Sequence, residues 1–203
     1  MAHEDALRAM TMLQRRAAIF ALVTVAEKAL AREIDSIECA MQITRLLWNV
    51  DDPNRDLFLP FRGVASEADN AVVGDRTLWA QAFLDECDQR YKEVESHYRS
   101  MIDESCAELI AEYRPKLCAC PACGFVAAIP PYAADGTPSY TECACCAFMF
   151  VLELVDDNEF GIWRRRWIRA GMPFRGSPVP ADFEPHAQMR AASLEDGLPG
   201  SLK

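Results

Sequence analysis

Apolar residues recur at threes and fours through residues 5 to 50: Leu7, Met10, Leu13 and Ala17, then Phe20 and Val23, with no proline before Pro53. That period predicts helix with one buried face. Ser36, placed ahead of Ile37, Met41, Thr44 and Leu47, is a candidate cap for a second helix. Residues 51 to 75 mix prolines, glycines and acids with Leu57, Phe58, Leu59 and Phe61, which reads as a long ordered loop folded against the helices. The strongest stripe follows, Tyr91, Val94, Tyr98, Ile102, Cys106, Leu109 and Tyr113, and predicts a helix over 76 to 113 closed by Pro115. Beyond it the helical period stops. Phe148 to Leu154 reads as a strand, residues 159 to 170 as a short helix ended by Gly171, and the stretch from Pro173 onward as a proline-rich tail.

Charge sharpens that division. Residues 1 to 114 carry 13 Lys+Arg against 21 Asp+Glu, net -8, and the remainder 8 against 10, net -2. A chain of 203 residues with net charge -10 lacks the basic footprint of a general nucleic-acid binder and suits a basic partner better. The first residues show no apolar leader, and no run approaches the roughly 20 apolar residues of a membrane span, so the expected compartment is the cytoplasm. There the nine cysteines stay reduced, which leaves metal or thiol chemistry in place of a disulfide framework.

Cys120-Pro-Ala-Cys123-Gly124 and Cys143-Ala-Cys145-Cys146 are two C-x2-C pairs at the spacing of a four-cysteine zinc site. Each pair can turn both sulfurs toward one ion, and Gly124 relaxes the backbone just after the first. Pro130, Pro131, Gly136 and Pro138 allow a hairpin that returns one pair to the other. Cys120, Cys123, Cys143 and Cys146 are therefore the predicted ligands of a structural Zn²⁺, with Cys118 and Cys145 as neighbours able to substitute. Four thiolates close the coordination sphere and leave no position for substrate.

Elsewhere the chemistry is sparse. Cys87, His97 and Cys106 admit a Cys-His nucleophile, but helical cysteines most often serve as small core residues. No G-x-S-x-G, Walker, G-x-G-x-x-G or H-E-x-x-H pattern occurs, so an enzyme is not expected. Trp163 and Trp167 share a helical face among Arg164, Arg165, Arg166 and Arg169, a pattern that serves packing or single-stranded nucleic acid. Glu67, Asp69 and Asp75 offer an acidic docking surface. These three acids and the two tryptophans are the candidate partner-binding residues.

Residues 113 to about 175 resemble the cysteine-rich CPCC-type bacterial zinc-ribbon family, through Cys120-Pro-Ala-Cys123-Gly124, Thr137-Pro-Ser-Tyr140-Thr-Glu-Cys143 and Trp163-Arg-Arg-Arg-Trp167-Ile-Arg-Ala-Gly171-Met-Pro-Phe174. The second pair lacks the proline usual in that family. Many members look like immunity proteins of polymorphic toxin systems, and the resemblance implies a protein that blocks a toxin. Asp56-Leu-Phe-Leu-Pro60-Phe61 and Ala65-Ser-Glu67-Ala-Asp69 look like a small bacterial helical domain. The expected fold is mainly α: an acidic helical domain (1–114), a small β zinc ribbon with its Trp/Arg helix (115–175) and a proline-containing tail (176–203). The expected partner is a protein toxin, a basic nuclease being one class that fits; the alternative is a zinc-ribbon regulator touching nucleic acid.

Overall fold

Helix α1 (Met12–Leu30) opens the computed structural model, which describes residues 12–50, 55–68, 77, 79–151, 157–192 and 194. Leu22, Val23, Val25, Ala26 and Ala29 are buried. The helix ends with Arg32 at φ 64°, while Glu33 N–H bonds the Lys28 carbonyl. That left-handed position is the one usually given to glycine. Helix α2 (Ser36–Leu46) follows. Its N-cap is Asp35, whose carboxylate accepts from Glu38 N–H at 2.8 Å, and not Ser36. Ser36 lies one position inside and gives its own N–H and hydroxyl to Glu95.

The expected loop after residue 51 is helical where the structure describes it. A 3₁₀ turn (Arg55–Phe58) leads into α3 (Leu59–Glu67), with Pro60 in its first turn. Proline is tolerated there because that N–H has no helical acceptor. Phe58, Phe61 and Val64, at spacings of three, form its buried side.

Helix α4 (Gln81–Cys118) runs for 38 residues. Ile102, Cys106, Leu109 and Tyr113 of the anticipated stripe are buried, and Tyr91, Val94 and Tyr98 are half-buried. Pro115 does not close it; the helix continues to Cys118. Proline gives up the N–H owed to the Ala111 carbonyl and sets its ring against that carbonyl, and the helix accommodates both. The last carbonyls of the helix are taken up by a side chain, Arg16.

The chain divides into two compact units, Met1–Met10 with Ala18–Tyr113, and Thr11–Ala17 with Arg114–Lys203. In the first, α4 holds α2 through polar contacts. Glu95 accepts from Ser36 N–H (2.9 Å), Ile37 N–H (3.2 Å) and the Ser36 hydroxyl (3.1 Å), and Arg99 bonds the same carboxylate. The Tyr91 hydroxyl donates to Asp35. Burial first, then that carboxylate, push the Tyr91 phenol above its ordinary range.

In the second unit the expected β ribbon does not appear as strands. Among the described residues there are three isolated antiparallel bridges, Ala119 with Val126, Tyr132 with Pro138, and Glu142 with Met149. Left-handed residues at Gly124, Gly136, Tyr140 and Ala147 interrupt the extended runs before a ladder can lengthen. The predicted strand at Phe148 to Leu154 is one bridge pair long in its described part; residues 152–154 lie outside the described residues. Helix α5 (Asp157–Arg169) ends at Gly171, φ 85°, as its sequence predicts. The segment read as a tail contains α6 (Pro185–Ala191), whose Met189 is buried among the cysteines and aromatics. Among the described residues no helix is long and apolar enough to cross a membrane.

Candidate metal centre

Two knuckles of matching hydrogen bonding build the site. In the first, Cys120 N–H bonds the Phe125 carbonyl (2.8 Å), Gly124 N–H returns to the Cys120 carbonyl (2.7 Å), and Ala127 N–H reaches the Cys118 carbonyl (3.0 Å). In the second, Cys143 N–H bonds the Phe148 carbonyl (2.8 Å), Ala147 N–H returns to Cys143 (2.8 Å), and Phe150 N–H reaches Thr141 (3.0 Å). The registers match Cys120 with Cys143, Cys123 with Cys146, and Gly124 (φ 80°) with Ala147 (φ 60°). The left-handed residue turns the chain so that both sulfurs of a knuckle face one point. A hairpin joins the knuckles, closed by Ser139 N–H to the Pro131 carbonyl and by Ala133 N–H to the Thr137 carbonyl.

The sulfurs of Cys120, Cys123, Cys143 and Cys146 all lie within 4.8 Å of one another, and all four residues are buried. Across the knuckles, Cys120 and Cys146 are 3.9 Å apart and Cys123 and Cys143 are 3.7 Å apart. A tetrahedron with Zn–S bonds of about 2.3 Å has S–S edges of about 3.8 Å, so the spacing suits one ion of that size with four sulfur ligands. Disulfides need sulfurs about 2 Å apart. The nine cysteines are free. Among sulfurs this close, one thiolate is favoured while its neighbours are held protonated. Cys143 is pushed below the usual thiol range by the Cys120, Cys123 and Cys146 thiols, whereas contact with Cys120 pushes Cys123 and Cys146 upward. A shared cation removes that conflict by letting all four ionise.

Cys145 and Cys118 fall outside the set because of the knuckle register. Cys145 occupies the place of Ala122, and Cys118 that of Thr141. Cys145 is buried beside these four cysteines and receives a hydrogen bond from Gln188 Nε2 at 3.6 Å. Contact with Cys123, and then that bond, hold its thiol below the ordinary value.

A shell of aromatics and late-chain segments holds the knuckles. Phe148 packs against Phe150, Phe160 and Trp163. Arg175 and Gly176 N–H groups bond the Cys145 and Ala144 carbonyls, and Gln188 Nε2 bonds the Cys123 carbonyl at 2.8 Å. A Cβ on Gly124 would meet Ala192 Cβ and the Gln188 carbonyl oxygen at 2.8 Å, so the α6 segment sits directly on the first knuckle. Arg164 donates to the Pro121 (2.9 Å) and Ala122 (3.0 Å) carbonyls inside that knuckle. Arg16 donates to Lys116, Leu117 and Ala119 just before it. Burial pulls the Arg16 guanidinium down to about 10, with Cys118, Tyr132 and Cys120 acting the other way, so it stays charged at neutral pH. Of these supports, Gly124, Phe148 and Arg164 lie in segments that a sequence pattern marks. Arg16, Gly176 and Gln188 carry no such mark.

The candidate partner-binding residues are scattered. Trp167 is buried and Trp163 half-buried, their indole N–H groups bonding the Pro173 (2.9 Å) and Cys146 (3.0 Å) carbonyls. Arg165, Arg166 and Arg169 are exposed. Glu67 is exposed and accepts from the Tyr98 hydroxyl at 2.7 Å; Asp69 and Asp75 lie outside the described residues. Cys87 and His97 both stand on α4. Their separation in sequence places them about 15 Å apart along a helix axis, too far to form a catalytic pair. Cys106 instead meets Cys39 at 3.6 Å in the helical unit, and that contact, with burial, raises the Cys39 thiol.

No family model matches the chain, and neither a curated protein nor a solved structure matches it.

Proposed function

We propose that the chain is a cytoplasmic binding protein of the immunity type, stapled by one structural Zn²⁺ in a ribbon built from the two knuckles, and that it binds and blocks a protein toxin with a basic surface. The observation that carries this reading is the division of charge. The first unit has 10 Lys+Arg against 21 Asp+Glu, net -11, and the second 11 against 10, net +1. Acids concentrated on one unit attract a basic protein and speed its encounter. The four-sulfur centre supports a scaffold role, since its cysteines fill a tetrahedron and leave no ligand position for substrate. The resemblance of residues 113 to 175 to the CPCC-type family points the same way. Against the nucleic-acid alternative stand the tryptophans, whose indole N–H groups are occupied internally.

Binding kinetics against the product of the neighbouring gene, at two salt concentrations, test the reading, with a co-expression survival assay beside them. Glu67→Lys combined with Asp69→Lys is expected to slow association more than it speeds dissociation, and higher salt to mimic the change. Survival that does not depend on this protein, or tight binding to DNA or RNA, would replace immunity with the nucleic-acid reading.

A further inference from the structure

Arg16 is 7% exposed, and among the described residues no carboxylate pairs with it. Its terminal nitrogens are spent on the Lys116, Leu117 and Ala119 carbonyls. Its Nε–H is buried and has no acceptor among the described residues. A buried guanidinium without an anion is costly, because neutral carbonyls replace only part of its hydration. The Ala119 carbonyl that it holds belongs to the residue immediately before Cys120, a predicted metal ligand. Four thiolates around a divalent cation carry about -2. The four cysteines that would carry that charge are themselves buried. Each charge answers the other.

We propose that Arg16 is the positioning residue and counter-charge of the metal centre: it fixes the backbone leading into the first knuckle and offsets the excess negative charge of the four sulfurs. The assignment rests on the zinc reading above. Thr11–Ala17 belongs to the same compact unit as the knuckles although it is far from them in sequence. Arg164 bonds the carbonyls of the same knuckle but is only half-buried, so solvent screens its charge more strongly.

The test uses the full chain loaded with Zn²⁺ or Co²⁺, comparing wild type with Arg16→Gln, Arg16→Lys and Arg164→Gln. Zinc affinity is read by competition with a chromophoric chelator, and metal release on acidification by the thiolate-to-cobalt charge-transfer band. Arg16→Gln is expected to lower zinc affinity about tenfold or more and to move release to higher pH, because the thiolates lose a stabilising cation. Arg16→Lys restores most of the release pH, and Arg164→Gln shifts it less. Wild-type behaviour of Arg16→Gln, or equal damage from Arg16→Lys and Arg16→Gln, would overturn the assignment, as would equal shifts from Arg16→Gln and Arg164→Gln. If Arg16→Gln does not fold, Arg16→Lys decides: release near the wild-type pH supports the charge role, and lost metal binding overturns it. Failure of the wild type itself to bind metal would defeat the zinc reading as well, whereas metal-loaded wild type with unaffected variants defeats only this one.

Discussion

The two units solve the problem of holding a short chain together by different means. In the first, apolar residues on four helices are buried, Leu22, Ile37, Ile43, Phe61, Val64, Ile102 and Leu109 among them, and the Glu95 contacts at the α2 N-terminus fix the register of α2 on α4. In the second, among the described residues, the backbone apart from two short helices and the ends of two others is knuckles and turns, and its buried cluster surrounds sulfurs. Stability is therefore expected to reside differently in each. A helix stripe is a distributed device that loses a little with each change, whereas a four-sulfur site is a single device that fails when one ligand is lost.

The largest expected effect is accordingly in the second unit. Cys123→Ser, or chelation of the wild type, is expected to remove ordered structure from the knuckles, since metal binding supplies on the order of 10 kcal/mol in small zinc sites. Far-UV circular dichroism should retain the signal of the helical unit while limited proteolysis cuts within residues 119–151. Global loss of helix would erase the comparison.

In the helical unit the Phe61 ring is fully buried. Phe61→Ala leaves a cavity and is expected to cost about 3–5 kcal/mol, while bound metal is unchanged. Denaturant unfolding with metal analysis checks both halves of that statement. Glu95 in the same unit is an acceptor shared by two backbone N–H groups and a hydroxyl. By the same measurement Glu95→Ala, which leaves those donors unpaired, is expected to cost about 2 kcal/mol.

The left-handed positions of the two knuckles give a pair of opposite signs. A Cβ at Gly124 meets Ala192 and the Gln188 carbonyl. Gly124→Ala is therefore expected to destabilise by about 1–3 kcal/mol and to loosen α6. Ala147 already holds a Cβ at φ 60°. Ala147→Gly relieves that strain and is expected to stabilise by up to about 1 kcal/mol. Thermal unfolding of the metal-loaded variants reads both.

The smallest effect is a pH dependence in the helical unit. Arg32 holds Asp103 through two 2.7 Å bonds and keeps its carboxyl below the ordinary value. A depressed carboxylate stabilises the fold fully above its unfolded pKa of about 3.9 and loses that contribution as pH falls through the folded value. Asp103→Asn should be slightly less stable than wild type at pH 7, and the difference should vanish in acid. A difference that persists at low pH would mean that the ion pair is not its source.

Local signals were legible in the sequence and distant ones were not. The clustering of Cys120, Cys123, Cys143 and Cys146 could be read because C-x2-C spacing and a returning hairpin are short-range features, and the α4 stripe because its period persists over many turns. Helix α3 was hidden by Pro60, which starts a helix there, and the end of α4 by Pro115, whose lost hydrogen bond the helix tolerates. Glu95 at the α2 N-terminus and Arg16 before the first knuckle act across long separations, 103 residues between Arg16 and Ala119, where no pattern marks either. Helix α6 is seven residues long, too short for periodicity to show, and its place is set by Met189 and Gln188 meeting the cysteines.

The most direct test of the central claim, that four cysteines hold one metal ion at the heart of the second unit, is elemental analysis with X-ray absorption on protein purified without chelators. The expected result is one zinc per chain surrounded by four sulfurs at about 2.3 Å. Protein that carries no metal while Cys120, Cys123, Cys143 and Cys146 react freely with a thiol reagent, or zinc bound through nitrogen or oxygen, would contradict it.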